Sequence, residues 1–199
     1  MGEDQRMATN TALLSTLRAG DESAIRSLVA TYHASMVRFA RTIAGDAGAE
    51  EIVQEAWIKV IRALPTFEGR SSLRTWLFAI VRNEAVSRLR QDARQPETES
   101  ADVLADRYGP DGTWQTPPGA WSLDTPEAAL ASKDMQGLIR RTLDGMPATQ
   151  RSVLTLRDIE GLSFEDISNI LVISSSNARV LLHRGRQRLW QAIDEYQKG

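Results

Sequence analysis

Five of the seven prolines fall between Pro96 and Pro126, with Gly109, Gly112 and Gly119 among them. Proline removes a backbone donor and fixes φ, and glycine adds chain entropy, so neither belongs inside a helix or a central strand. No 3.6-residue apolar period survives in this stretch. It reads as a linker over residues 95–125, separating a unit at 10–94 from a unit at 126–197. A chain of 199 residues is long enough for two such small domains.

Both flanking units read as helical. Ala, Leu, Arg and Glu dominate, and β-branched runs are few. In the first unit, Leu13, Leu14 and Leu17 start a short helix that Gly20 stops. Asp21 suits the N-cap of a second, with Ile25, Leu28, Val29, Tyr32, Met36, Phe39 and Ile43 as its apolar stripe and Gly45 as its end. A third runs from about Ala49 to Leu64 and buries Ile52, Val53, Ala56, Trp57, Val60 and Leu64, with Pro65 as its stop. The fourth, "RSSLRTWLFAIVRNEAVSRLR", buries Leu73, Leu77, Ile80, Val81 and Leu89. The expected fold class is all-α.

The second unit opens with Thr125 and Pro126 as cap and first turn, followed by Leu130, Leu138, Ile139 and Leu143 up to Gly145. Pro147 opens a helix that ends near Gly161. Ser163 then caps a short helix, with Asp166 at the capping-box position and Ile167, Ile170 and Leu171 on one face. A break at Val172–Ser174 leads to Ser174 or Ser175 as the next cap. The last helix buries Ala178, Leu181, Leu182 and Leu189 and turns Asn177, Arg179, Val180, His183, Arg184 and Gln187 outward.

Net charge is −2, but its distribution is uneven. From Phe67 to Arg94, six arginines face three acids; from Ile173 to Gln191 there are four arginines and no acid. Between them, Gln95 to Gln136 carries eight acids and two basic residues. A single charge run is usually a solvated face; two basic helices around an acidic spacer suit nucleic acid better. The absence of cysteine rules out disulfides and thiolate metal sites. Two distant histidines make no histidine-rich metal site, and no catalytic constellation, phosphate loop or nucleophile elbow stands out. No cofactor and no enzymatic activity are expected. With no signal-peptide core and no apolar run near a membrane span, the expected location is the cytoplasm.

Two short helices joined by a tight turn, the second basic and serine-capped, suggest a helix-turn-helix. Its second helix can enter a major groove, where Arg reaches guanine, Asn pairs with adenine and Val meets a thymine methyl. The plainer alternative is a helical hairpin with a solvated arginine face. Glu51, Gln54, Glu55, Ile58 and Arg62 share one face of the third helix, opposite Trp57. Ile58 there is either a stray exposed residue or part of a partner surface.

Taken together, "GAEEIVQEAWIKVIRALPTFEGRSSLRTWLFAIVRNEAVSRLR" and "MPATQRSVLTLRDIEGLSFEDISNILVISSSNARVLLHRGRQRL" resemble the extracytoplasmic-function sigma factors, the two-domain group of the sigma-70 family. The resemblance implies a factor that binds core RNA polymerase, recognises −10 and −35 promoter elements and helps to melt the duplex. It implies −10 contacts at Phe67, Gly69, Arg70, Ser71, Ser72, Arg74, Trp76, Arg82 and Asn83, with the loop after Phe67 holding a flipped base. For Trp76, bracing the domain and touching DNA remain alternatives. It implies −35 contacts at Ser175, Ser176, Asn177, Arg179, Val180, His183 and Arg184. The face at Glu51, Gln54, Glu55, Ile58 and Arg62 is implied to meet the polymerase β′ coiled coil, with further contact to the β subunit. An anti-sigma factor is the other implied partner; membrane insertion is not expected. The linker corresponds to a segment threading toward the RNA exit channel. Its roughly 30 residues span up to about 100 Å when extended, more than the about 34–70 Å between duplex sites one or two turns apart. Val180 and Leu181 stand where relatives often carry serine and a basic residue, which alters the expected −35 contacts. A stand-alone helix-turn-helix regulator is the competing function; a helical nuclease would need a metal-binding cluster that the sequence lacks.

Overall fold

The computed structural model describes residues 15–92 and 126–198, and the linker expected at 95–125 lies outside them, as do Leu13, Leu14 and Thr125. Among the described residues there is no strand. The helices are α1 (Glu22–Ala44), α2 (Ala49–Ala63), α3 (Leu73–Asp92), α4 (Pro126–Asp144), α5 (Ala148–Leu154), α6 (Phe164–Leu171) and α7 (Ser175–Lys198). They fall into two compact units, with α1–α3 in the first and most of α4–α7 in the second.

The first unit is a three-helix bundle preceded by a helical turn at 15–18. That turn buries Leu17 and ends at Gly20, whose φ of 76° favours glycine. Asp21 caps α1 by accepting the Ala24 N–H at 2.7 Å. That hydrogen bond is the main reason its carboxyl stays below the usual carboxylate range. Leu28, Met36, Val37, Phe39 and Ala40 form the buried face of α1, and Gly45 closes it with a φ of 77°. Ile25, Val29, Tyr32 and Ile43 of the expected stripe are only half-buried.

Every residue expected in the buried face of α2 is buried, with Leu64 just past the helix end. The helix ends at Ala63 rather than Leu64, and Pro65 sits at the start of a 3₁₀ turn over Leu64–Thr66. Proline is tolerated there because the first-turn N–H has no helical partner anyway. α3 lies against both α1 and α2, and the Phe78 ring meets Phe39 edge-on at 5.3 Å. Its buried face is Leu73, Leu77, Phe78, Val81 and Ala85. Ile80 is half-buried, and Leu89, expected in the core, is 40% exposed. Arg88 donates to Glu51 at 2.8 Å, so Leu89 stands level with the first turn of α2 and has little left to pack against.

In the second unit, α5 and α7 pack closely. Gly185 is buried in α7, and a Cβ there would come within 2.9 Å of Leu154 Cδ1. α5 continues into a π-helical turn over Thr155–Ile159, a local widening that often marks functional regions. Ala178 and Leu182 are the buried residues of α7 from the expected set, while Leu181 and Leu189 are half-buried.

Candidate nucleic-acid and polymerase interfaces

The loop between α2 and α3 forms a surface pocket of about 300 Å³, lined by Ala63, Thr66, Phe67, Glu68, Arg70, Ser71 and Trp76. That is the lower end of the range for small-ligand sites. Phe67 is buried and its ring lies 4.6 Å from that of Trp76, tilted by 36°. Arg18 donates to the Phe67 carbonyl, which ties the N-terminal turn to the pocket loop. Gly69 supplies the positive φ of 75° that turns the chain toward α3. Ser72 then caps α3, accepting the Thr75 N–H at 3.0 Å. Arg70 is held by Glu68 at 2.6 Å, so a basic group and an acid share the rim.

The structure thus gathers Phe67, Arg70, Ser71 and Trp76 around one pocket, with Gly69 and Ser72 shaping its loop. Asn83 lies two turns beyond Trp76, about 20° from it around the helix. It is exposed, and its Oδ1 accepts from Arg82 at 3.1 Å. Arg74 is set apart, about 200° from Trp76, with its guanidinium 5.8 Å from the Phe78 ring.

On α2, Glu51, Gln54, Glu55, Ile58 and Arg62 are all exposed. Ile58 is 42% exposed and Ile61, one turn on, 47%. Ile61 extends the apolar part of this face, which the spacing of Ile58 alone did not reveal. Glu51 at the edge pairs with Arg88, and Lys59 pairs with Glu84, so α2 and α3 are laced together beside the patch. Such exposed pairs contribute about 0–1 kcal/mol each.

α6 and α7 form a helix-turn-helix. Ser163 caps α6 by accepting the Asp166 N–H at 3.1 Å, and its hydroxyl donates to the Asp166 carboxylate at 2.6 Å. Val172 ends α6 in the left-handed region, with φ 58° and ψ 49°. It is the only non-glycine residue with positive φ among the described residues and is 72% exposed. A left-handed β-branched residue costs roughly 1–2 kcal/mol, which the flanking caps offset. Ser174, rather than Ser175, caps α7: its Oγ accepts the Asn177 N–H at 3.1 Å.

Along α7, Arg179 and Ser176 are exposed, and Ser175, Asn177, Val180, His183 and Arg184 are half-buried. The Arg179 guanidinium lies 4.8 Å from the Phe164 ring centroid. Arg186 makes a forked contact to Asp158 at 3.0 and 2.5 Å. Donating to the Asp158 carboxylate holds its guanidinium even more firmly protonated than usual. The sequence reading missed Phe164 and Asp158, because their partners are 15 and 28 residues away.

Family models match both units: Sigma-70 region 2 over residues 28–95, and Sigma-70, region 4 over residues 136–189. The "ECF RNA polymerase sigma-E factor" of Escherichia coli is 28% identical over 182 residues, 91% of this chain and 92% of that one. Its namesake from Haemophilus influenzae is 29% identical over 185 residues, 93% and 95% of the two chains. This chain belongs to the extracytoplasmic-function sigma factors of the sigma-70 family. It is therefore an RNA polymerase sigma factor, acting in transcription initiation and binding DNA through region 4. Two solved folds are similar: CnrH, from a complex with the cytosolic domain of CnrY (TM-score 0.58, 21% identity, covering 94% of this sigma factor and 97% of that chain), and RpoE from Bartonella quintana, from a complex with the anti-sigma factor NepR (TM-score 0.57, 24%, 85% and 96%). The region 2 match contains the Phe67–Trp76 pocket and the α2 face; the region 4 match contains the helix-turn-helix. Among the described residues of this sigma factor, no helix is long and apolar enough to cross a membrane.

Proposed function

We propose that this sigma factor binds core RNA polymerase through the exposed face of α2, holds a flipped −10 base in the Phe67–Trp76 pocket and lays α7 in the major groove of the −35 duplex. The observation that carries this reading is the aromatic-walled pocket beside a serine-capped, arginine-bearing helix, in a chain that also supplies a helix-turn-helix. A base leaving the duplex loses stacking and pairing, and an aromatic wall with a polar rim offsets part of that loss. Arg82 and Arg88 along α3 can follow phosphates. The factor works in the cytoplasm without catalysis of its own, contacts the β′ coiled coil and the β subunit, and is held in check by an anti-sigma factor, as the similar RpoE of Bartonella quintana forms a complex with the anti-sigma factor NepR. Transcription by core polymerase plus this protein over a promoter library tests the proposal. A defined pair of elements should emerge; binding to a palindrome without polymerase would favour a stand-alone regulator instead.

Two substitutions separate the surfaces. Ile58→Glu puts a charge in the apolar part of the α2 face at an exposed site, so stability should change by no more than about 0.5 kcal/mol. Competition for core polymerase should nevertheless show weaker binding; unchanged competition would remove this face from the interface.

On α7, Arg179→Ala should cost roughly 1–3 kcal/mol of discrimination at one or two base pairs. Arg184→Ala should weaken all duplexes alike and lower the salt slope by about 1. Identical promoter profiles and salt slopes for the two variants would contradict these roles.

A further inference from the structure

Phe164 is the first residue of α6, yet its half-buried ring serves two guanidinium groups from other elements. Arg157, in the π-helical turn, and Arg179, in α7, each lie 4.8 Å from its centroid. Arg157 also donates to the Leu162 carbonyl at 2.7 Å, two residues before the ring. The ring is therefore held by the loop on one side of the sequence and meets the recognition helix on the other. Next to Arg157, Asp158 accepts a forked pair of hydrogen bonds from Arg186, two turns along α7 from Arg179. The π-helical turn thus fixes both the helix and the platform on which its arginine rests.

A guanidinium stacked on an aromatic face keeps its N–H donors around its edge, free for a planar, bidentate partner. Guanine O6 and N7 form such a partner in the major groove. An arginine on a bare helix surface must instead give up side-chain freedom when it binds. We propose that Phe164 is a positioning residue for −35 specificity, holding Arg179 in the orientation with which it reads a guanine. This rests on the reading of α7 as the groove-entering helix.

The test uses the full chain with core polymerase on a library of −35 duplexes, comparing Phe164→Leu, Phe164→Tyr, Arg179→Ala and the double variant Phe164→Leu/Arg179→Ala. Leucine keeps an apolar side chain without a ring face; tyrosine keeps the face. Phe164→Leu should lose roughly two- to five-fold of the preference at the base pair that Arg179→Ala relaxes, the size of an exposed cation–π contact. Phe164→Tyr should restore it. In the Arg179→Ala background, Phe164→Leu should change that preference no further. A uniform loss across all duplexes for Phe164→Leu, tracking a lower melting temperature, would reduce the ring to a packing role and overturn the proposal. So would an unchanged profile, or an additive effect in the double variant. If Arg179→Ala alone leaves every base preference intact, the reading of α7 fails, and the role of Phe164 falls with it.

Discussion

Replacing Phe78 by Ala should leave the first unit barely folded. The ring is fully buried and meets Phe39, itself fully buried, in an edge-to-face pair at 5.3 Å. A buried Phe→Ala change costs about 3–5 kcal/mol, and an aromatic pair adds about 0.5–1.5 kcal/mol beyond burial. Whole small domains hold only about 5–15 kcal/mol. At roughly 4–8 °C per kcal/mol for a unit of this size, the melting temperature of the first unit should fall by more than about 12 °C. Hydrogen exchange should show the loss in α1–α3, whereas α5–α7 keep their protection. Phe78→Leu, closer in volume, should cost much less. A first unit that melts unchanged in Phe78→Ala would mean that α3 does not turn this face to α1.

That face is also where the sequence was hardest to read. Leu73, Leu77 and Val81 recur at four-residue spacing, and the periodicity added Ile80 to them where the structure buries Phe78. Ile80 sits about 20° to one side of Leu73, Phe78 about 140° to the other. Only the position of Phe39 on α1, 39 residues earlier, decides between them. Leu89 fits the periodicity, but periodicity carries no information about where the neighbouring helix begins. The buried face of α2, by contrast, was legible, since an unbroken apolar stripe runs between Gly48 and Pro65; only the exact end of the helix and the exposed Ile61 were not. The cap at Asp21 and the capping pair Ser163–Asp166 were equally plain, because each joins residues only three apart. The same locality explains the site. Phe67, Arg70, Ser71 and Trp76 come together through one short loop, so a contiguous motif located them. Ala63, Thr66 and Glu68 complete the pocket as ordinary residues with no motif of their own. Phe164 and Asp158 act on α7 from distant positions and left no pattern in the helix they support.

Trp76 lines the pocket, and Asn83 lies two turns beyond it on α3. The tryptophan residue is half-buried, packs against Phe67 and lines the pocket with it, so it can serve both packing and the proposed stacking of a base. Trp76→Ala should therefore lose affinity for single-stranded −10 DNA by roughly 1–3 kcal/mol, the worth of one stacked base. Its stability loss should stay below that of Phe78→Ala, because less of the ring leaves a packed environment. Asn83 is exposed and bonded only locally to Arg82, so Asn83→Ala should move stability by no more than about 0.5 kcal/mol. Its defect should lie in opening. Unpairing a base costs a few kcal/mol, and a contact that recovers part of this cost matters only while the base must still be taken from the duplex. Transcription by the Asn83→Ala holoenzyme should thus fall on paired templates and recover in part on templates already mismatched at that position. If a base stacks on the ring as proposed, Trp76→Ala should recover less, because that stacking acts after opening as well as during it. Equal defects of Asn83→Ala on both templates would remove it from the opening step. A Trp76→Ala protein whose loss of DNA binding follows its loss of folded structure, at every temperature, would make the ring a brace for Phe67 and nothing more.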